Sequence, residues 1–167
     1  MAAIGVIMGS DSDYGVMEEA VRTLKEFGLD CEVKVSSAHR ALGRTVAWAE
    51  DFAAGGGQVI IAAAGMAAHL AGVVAGAVTL PVIGVPIRSG ALKGVDALYA
   101  TVQMPPGIPV ATVGIDGAKN AALLAVQILA AGRPELRAAL KSYRAGLAVA
   151  VEAKDRALAA RLNGEKQ

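Results

Sequence analysis

The sequence predicts an α/β fold, a three-layer α/β/α sandwich on a flavodoxin-like parallel sheet of about five strands, with a C-terminal helix. Short apolar runs rich in β-branched residues alternate with longer amphipathic segments through most of the 167 residues. Strands that are joined through helices form a parallel sheet with right-handed crossovers. The length suits one domain, residues 1–167, with the sandwich core at about 3–131 and the C-terminal helix at about 134–162.

The first half of the chain contains three strands predicted to be buried, at Ala3–Met8, Cys31–Ser36 and Gln58–Ala63. A helix follows the first strand over residues 12–27, with Ser12 or Asp13 as candidate N-cap and Gly28 as its C-terminal stop. A second helix covers about Leu42–Ala54, and the three glycines that follow end it.

The second half continues the alternation, with strands predicted at Pro81–Val85 and Pro109–Val113 and helices at about Ala67–Ala77, Val95–Gln103 and Ala118–Ala131. The last helix starts with Pro134 at a position typical of a first helical turn. It carries an apolar stripe at helical spacing, formed by Leu136, Leu140, Tyr143, Leu147 and Val151. We expect this stripe to pack on the sandwich or on a neighbouring subunit.

Composition excludes several classes of function. The net charge of +1 gives no electrostatic footprint for nucleic acid or an anionic membrane. Aromatic residues at 4% leave few stacking platforms for single-stranded nucleic acid or a flavin. The single cysteine, Cys31, permits no internal disulfide. The sequence shows no leader in which an apolar stretch follows positive charges, and no apolar segment long enough to span a bilayer. We therefore expect a cytoplasmic protein.

The chain is also unusually apolar, with 54% hydrophobic and only 19% charged residues. A monomer of this size cannot easily bury so many aliphatic side chains, and large exposed apolar patches mark interfaces. We therefore expect a homo-oligomer. The alternative is a monomer with an alanine-rich surface.

Two polar clusters directly follow predicted strands, Gly9-Ser10-Asp11-Ser12-Asp13 and Ser36-Ser37-Ala38-His39-Arg40. Ligands of open parallel sheets bind outside the carboxyl ends of the strands, so both clusters are expected at one crevice. One supplies hydroxyls, backbone N–H groups and carboxylates, and the other an imidazole and a guanidinium. An oxygen-rich anionic ligand handled by acid–base chemistry fits this combination.

Each of these side chains also has a purely structural interpretation. His39 suits proton transfer near neutral pH, but it could equally cap the next helix. Arg40 suits a phosphate or carboxylate, but lone arginines are often simply solvated. Asp13 could cap the first helix, and Asp11 with Asp13 could be read as a metal pair, which two carboxylates alone support weakly.

Taken together, six segments resemble the PurE family of purine biosynthesis, and specifically its class I members. They follow the family's order and spacing from about residue 3 to residue 131. The segments are Met8–Asp13, Ser37–Arg40, Ala64–Leu70, Val102–Val110, Pro81–Pro86 and Ser89–Asp96.

The resemblance implies a mutase that moves a carboxylate from the exocyclic nitrogen N5 of N5-carboxyaminoimidazole ribonucleotide to C4 of the ring. It implies His39 as the catalytic general acid and base. It implies that the substrate is bound by Ser10, Ser12, Asp13, Ser37, Ala38, Arg40, Gly65, Ala67, Ala68, His69 and Leu70. In this assignment Ser10 and Ser12 receive the phosphate and Asp13 the ribose hydroxyls.

The resemblance further implies no metal, no organic cofactor, and an octamer whose sites form where subunits meet. It implies no nucleic-acid or membrane partner. Functional coupling to the ATP-dependent carboxylase that makes the substrate is possible in such a pathway.

The chain departs from the family pattern at a few positions. Ala41 and Leu42 replace the usual Thr-Pro, Met66 replaces a glycine beside the expected carbon dioxide pocket, and Ala97 and Ala100 replace serines. None removes an expected catalytic group. Two alternatives stay open, a class II enzyme that carboxylates aminoimidazole ribonucleotide directly with carbon dioxide, and a non-enzymatic nucleotide-binding module.

Overall fold

The computed structural model describes residues 2–164 and contains a five-stranded, all-parallel sheet. The strands are β1 (Ile4–Met8), β2 (Cys31–Val35), β3 (Val59–Gly65), β4 (Val82–Ile87) and β5 (Ala111–Thr112). Their order in the sheet is β2-β1-β3-β4-β5, and each neighbouring pair is parallel. This is the flavodoxin-like order, so the predicted fold class is confirmed.

Six α-helices follow or connect the strands, namely α1 (Tyr14–Glu26), α2 (Leu42–Ala54), α3 (Leu70–Ala77), α4 (Val95–Val102), α5 (Ala118–Ala130) and α6 (Pro134–Gly164). The crossover from β1 to β2 runs in the opposite direction along the sheet from the three later crossovers. Because such crossovers are right-handed, α1 lies on one face of the sheet and α2, α3 and α4 lie on the other.

The sheet forms the centre of the core, with every residue of β1 and β4 buried. Two glycines allow helices to approach the sheet closely. A Cβ atom at Gly5 would lie 2.9 Å from Cη2 of Trp48 in α2, and one at Gly84 would overlap the methyl group of Thr101 in α4. Larger residues at either position would push a helix away from the strands.

Some predicted elements differ from those observed. β2 is an edge strand and is largely exposed rather than buried, with Val33 42% and Val35 39% exposed, because β1 is its only hydrogen-bonded neighbour in the described sheet. The predicted start of α3 at Ala67 is wrong, since residues 67–69 form a turn and the helix begins at Leu70. β5 has only two residues.

Both ends of α1 can be compared with their predicted capping residues. At its carboxyl end, Gly28 adopts φ +69°, and its N–H and that of Leu29 bond the carbonyls of Lys25 and Leu24. This is a Schellman motif, so the predicted stop is confirmed. At the amino end Asp13, one of the two candidates, occupies the N-cap position of α1, although its side chain makes no capping hydrogen bond. Ser10 caps a short 3₁₀ turn, residues 11–13, that precedes the helix.

The described chain divides into two compact units, one up to Leu129 and one from Ala130 onward. The second consists mainly of α6, 31 residues long, which begins at Pro134 as predicted. Its predicted stripe includes Leu147 and Val151, both more than half exposed. Whether the chain is a single domain, and what the stripe packs against, stay predictions. The polar composition of residues 163–167 predicts a frayed end; residues 163 and 164 are instead helical, and 165–167 lie outside the described residues. No helix within residues 2–164 is long and apolar enough to cross a membrane.

Candidate active site

A cavity of about 540 Å³ lies at the carboxyl ends of β1, β2, β3 and β4. It straddles the point between β1 and β3 where the direction of strand order reverses, the position at which doubly wound folds bind ligands. Its lining residues are Gly9, Ser10, Ser12, Asp13, Ser37, Ala38, His39, Arg40, Ala64, Gly65, Met66, Ala67, Leu70 and Ser89.

The turn after β1 is held in place by its own polar side chains. The Oγ of Ser10 accepts a hydrogen bond from the N–H of Ser12 at 3.3 Å, and the Oδ2 of Asp13 accepts one from the N–H of Ser10 at 3.1 Å. These reciprocal bonds form a capping box. The hydroxyls of Ser10 and Ser12 are themselves 2.9 Å apart. Two hydroxyls are thereby presented at the start of a helical segment, where backbone N–H groups favour an anion.

Asp13 occupies an unusual electrostatic position in this turn. Its side chain is buried, and that burial raises the pKa of the carboxyl group, an effect that the Ser10 N–H opposes and the neighbouring Asp11 charge reinforces. The carboxylate is therefore costly to maintain in the ligand-free protein. Asp13 braces the turn through the backbone of Ser10, and its side chain makes no capping hydrogen bond to α1.

The turn after β2 carries the imidazole and the guanidinium. The N–H groups of Arg40 and Ala41 both bond the carbonyl of Ser37, which makes the turn tight and directs His39 and Arg40 outward. Both side chains are exposed. Nε of Arg40 lies 3.4 Å from Oγ of Ser37, and no carboxylate among residues 2–164 pairs with the guanidinium. Its charge is available to an anionic ligand.

The two histidines of the chain meet at this site. Nε2 of His39 and Nδ1 of His69 are 2.8 Å apart, and the rings pack edge to face with centroids 5.0 Å apart. One nitrogen must donate and the other accept, so the two rings cannot both be fully protonated while this bond persists. His69 is exposed.

The turn after β3 forms a wall of small residues. Gly65, Met66 and Ala67 all line the cavity. The backbone of Met66 has φ +53°, a left-handed conformation that is rare for a residue with a side chain. Met66 is 59% exposed at the rim of the cavity. Non-glycine residues held at positive φ tend to occur at functional sites, where the surrounding structure maintains the strain.

The end of β4 supplies the fourth side of the cavity through Ser89. The segment before it is fixed by Asp116, whose carboxylate accepts hydrogen bonds from the backbone N–H of Arg88 at 2.8 Å and from its Nε at 3.3 Å. The N–H of Asp116 in turn bonds the carbonyl of Pro86 at 2.9 Å. Ser89 therefore follows a well-anchored strand end.

Most of the residues predicted for the site line this one cavity. Ala68 and His69 do not line it. Ala68 is buried, 2% exposed, and its carbonyl accepts a hydrogen bond from the hydroxyl of Thr101. His69 is connected to the cavity by its contact with His39, which does line it. Gly9, Ala64, Met66 and Ser89 line the cavity without having been assigned to it. The position of Ser89 just beyond a strand end was the available signal for that residue, since the same rule had identified the first two clusters.

Comparison with known proteins places the chain in a family. A family model described as AIR carboxylase matches residues 3–149. The chain belongs to this AIR carboxylase (PurE) family. The match covers the first unit from residue 3 onward, including all four segments that line the cavity.

Relatives within the family are similar over most of their length. A protein of Pyrococcus abyssi named N5-carboxyaminoimidazole ribonucleotide mutase is 58% identical over 144 residues, 86% of this chain and 83% of that protein. One of Mycobacterium tuberculosis with the same name is 54% identical over 152 residues, 91% and 87% of the two chains. The crystal structure of Treponema denticola PurE has a TM-score of 0.82 at 33% identity and covers 89% of this chain and 92% of that one.

Proposed function

We propose that the chain is an N5-carboxyaminoimidazole ribonucleotide mutase. The observation that carries this proposal is the position of the His39 imidazole, which lines a cavity that also holds the hydroxyls of Ser10 and Ser12 and the Arg40 guanidinium, with which no carboxylate among residues 2–164 pairs. Family relatives with this name at 53–58% identity support the same activity. The reaction needs a group that both gives and takes a proton, which an imidazole can do.

The phosphate and ribose of the substrate have separate binding groups in this proposal. The phosphate binds the hydroxyls of Ser10 and Ser12, with Arg40 neutralising its charge. A carboxylate would repel the phosphate, so Asp13 accepts a hydrogen bond from a ribose hydroxyl instead. Because Oδ2 of Asp13 already accepts a hydrogen bond from the Ser10 N–H, the ribose hydroxyl donates to Oδ1 of Asp13. Ser37 and Ala38 support the ring beside His39.

The chemistry then needs one acid–base group and no change of oxidation state. Protonated His39 delivers its proton to N5 as the N5–carboxylate bond breaks, giving the amine and carbon dioxide. C4 of the electron-rich ring attacks the carbon dioxide and forms the new carbon–carbon bond. Neutral His39 removes the proton from C4, which restores the aromatic ring and the starting protonation state. This scheme requires neither a metal nor an organic cofactor.

Between the two steps the carbon dioxide must stay in the cavity, because its escape would leave only decarboxylation. The wall formed by Gly65, Ala67 and Leu70 is apolar, and Gly65 and Ala67 leave space, so it suits a small uncharged molecule beside the ring. Ala68 and His69 belong to the same turn. His69 contacts His39, and we assign it the role of orienting that ring.

Direct carboxylation of aminoimidazole ribonucleotide is the second candidate, because the matching family model carries the name of that activity. A substrate-choice assay on purified protein separates the two. Formation of 4-carboxy-5-aminoimidazole ribonucleotide is followed from the N5-carboxylated substrate, and separately from aminoimidazole ribonucleotide with high bicarbonate, both without ATP. We expect fast product from the first and little from the second. The opposite preference would establish the carboxylase, and no product from either would favour a non-enzymatic module.

We further propose that the enzyme works as a cytoplasmic homo-octamer. Supporting this, Val95, Tyr99 and Val102 form an exposed apolar stripe on α4, near the exposed Leu92. An apolar stripe of this kind is typical of a surface that is covered in an assembly. Coupling to the ATP-dependent carboxylase that makes the unstable substrate is part of the same proposal.

A further inference from the structure

The cavity has one buried hydroxyl group that nothing in the described structure satisfies. Oγ of Ser89 is inaccessible to water and has no hydrogen-bond partner within residues 2–164, although Ser89 lines the cavity. Leaving a buried hydroxyl unpaired lowers the stability of the ligand-free protein. Unsatisfied groups of this kind are uncommon in folded proteins and call for a specific explanation.

The surroundings of Ser89 keep this hydroxyl at the cavity wall. A Cβ atom at position 65 would overlap Oγ of Ser89, so only glycine at that position leaves room for it. On the other side, the hydrogen bonds that Arg88 donates to the Asp116 carboxylate anchor the residue before Ser89. The backbone is therefore fixed, and a change of χ1 between staggered rotamers is the movement available to the hydroxyl.

The position of Ser89 also limits what it can bind. β4 is separated from β1 by β3, so Ser89 lies roughly 10 Å from the phosphate-binding turn, at about 4.8 Å per strand. It adjoins Gly65 in the apolar turn, and His69 at the end of that turn contacts His39. Among the cavity-lining residues on this side, Gly65, Met66 and Ala67 carry no side-chain donor, whereas Ser89 carries a hydroxyl.

We propose that Ser89 binds substrate by donating a hydrogen bond to an oxygen of the carboxyl group while that group is transferred. The proposal rests on the mutase function proposed above and adds a residue to its site. In the free protein the hydroxyl is unpaired, and with substrate bound it turns into the cavity and acquires its partner. It then holds the departing carbon dioxide next to C4 as the new bond forms.

The Ser89→Ala variant tests this proposal. The ligand-free variant should unfold at the same or a higher temperature than wild type, because it loses an unsatisfied hydroxyl. Its kcat/KM should fall roughly 10- to 100-fold, the usual effect of losing a hydrogen bond to a charged group. A larger fraction of the N5-carboxylated substrate should be released as aminoimidazole ribonucleotide, measured against an enzyme-free blank.

Ser36→Ala is the matched control. Its Oγ is also buried but lies 2.8 Å from Oγ1 of Thr45, so removing it should lower the unfolding temperature and leave the product ratio unchanged. A Ser89→Ala enzyme whose product ratio equals that of wild type would overturn the proposal, whatever its stability. An inactive wild-type protein would overturn the mutase function as well, so the two failures are distinguishable.

Discussion

His39 carries the chemistry at the scale of single residues. Replacing it with asparagine keeps a polar side chain of similar reach and removes the titratable ring. Because both proton transfers depend on that ring, we expect turnover of His39→Asn to fall by roughly 10²- to 10⁴-fold. Steady-state assays give the rate, and calorimetric titration with the product should show affinity close to that of wild type.

His69→Asn is the comparison for that variant, since it removes the partner ring and leaves the acid–base group. It should lose less activity than His39→Asn. Near-native turnover by His39→Asn would show that the proton is carried by another group.

Asp13 leads to a prediction about pH. Burial raises the pKa of its carboxyl group in the folded state, so the native protein binds this proton more tightly than the unfolded chain. Stability from this group is therefore lost as pH rises through the interval between the unfolded and the folded pKa. Asp13→Asn, which keeps an acceptor for the Ser10 N–H, should unfold at a higher temperature than wild type at neutral pH.

This advantage should shrink as pH falls through the same interval, because protonated wild-type Asp13 is then also neutral. Thermal unfolding curves at several pH values measure the difference. A constant advantage at all pH values would argue against the electrostatic explanation. Substrate binding by the variant should weaken, because an amide is a poorer acceptor for ribose hydroxyls.

At the scale of elements, the end of α1 offers a direct test of backbone conformation. Gly28 has φ +69° with no atom within 4 Å of the position of a Cβ, so alanine there suffers from backbone strain alone. We expect Gly28→Ala to lower the free energy of unfolding by about 1 kcal/mol without changing kcat. Gly15→Ala, in a helical and equally open position of α1, should leave stability equal or higher. Equal effects of the two variants in urea denaturation would contradict this explanation.

A helix or strand was predicted well when the residues that determine its bounds and burial lie within the element itself. The bounds of α2, Leu42–Ala54, match the prediction because amphipathic spacing and a following glycine run define them within the segment itself. The exposure of β2 could not be predicted, since being an edge strand follows from the order of all five strands. The Ser10–Asp13 capping box was missed because two serines that alternate with two aspartates offer several equivalent capping patterns.

The candidate site was predictable where the rule about strand ends applied and where residues resembled a known family. That combination identified Ser10, His39 and Arg40 before their common cavity was visible. The direct contact between His39 and His69 joins two loops that lie 30 residues apart in the sequence. The periodicity of apolar residues does not indicate which loops meet. The hydroxyl of Ser89 is buried and unpaired because it packs against Gly65, and this packing is visible only in the three-dimensional structure.

At the scale of the whole molecule, the exposed stripe on α4 predicts assembly. Tyr99 is 62% exposed near its centre, a large apolar surface to leave in water. Light scattering on wild type should give a mass about eight times the 16.8 kDa of one chain. Tyr99→Lys should shift the mass towards smaller species, because a buried unpaired charge opposes association, whereas Lys141→Ala on α6 should not. A wild-type protein of monomer mass would contradict the assembly.

The central claim is that one carboxyl group leaves N5 and reaches C4 without leaving the cavity. The most direct measurement is to convert substrate labelled with ¹³C in that carboxyl group in the presence of excess unlabelled bicarbonate, and to determine the label in the product by mass spectrometry. We predict that nearly all product molecules retain the label. Product carrying mainly unlabelled carboxylate would show that carbon dioxide exchanges with solution, and would contradict the account.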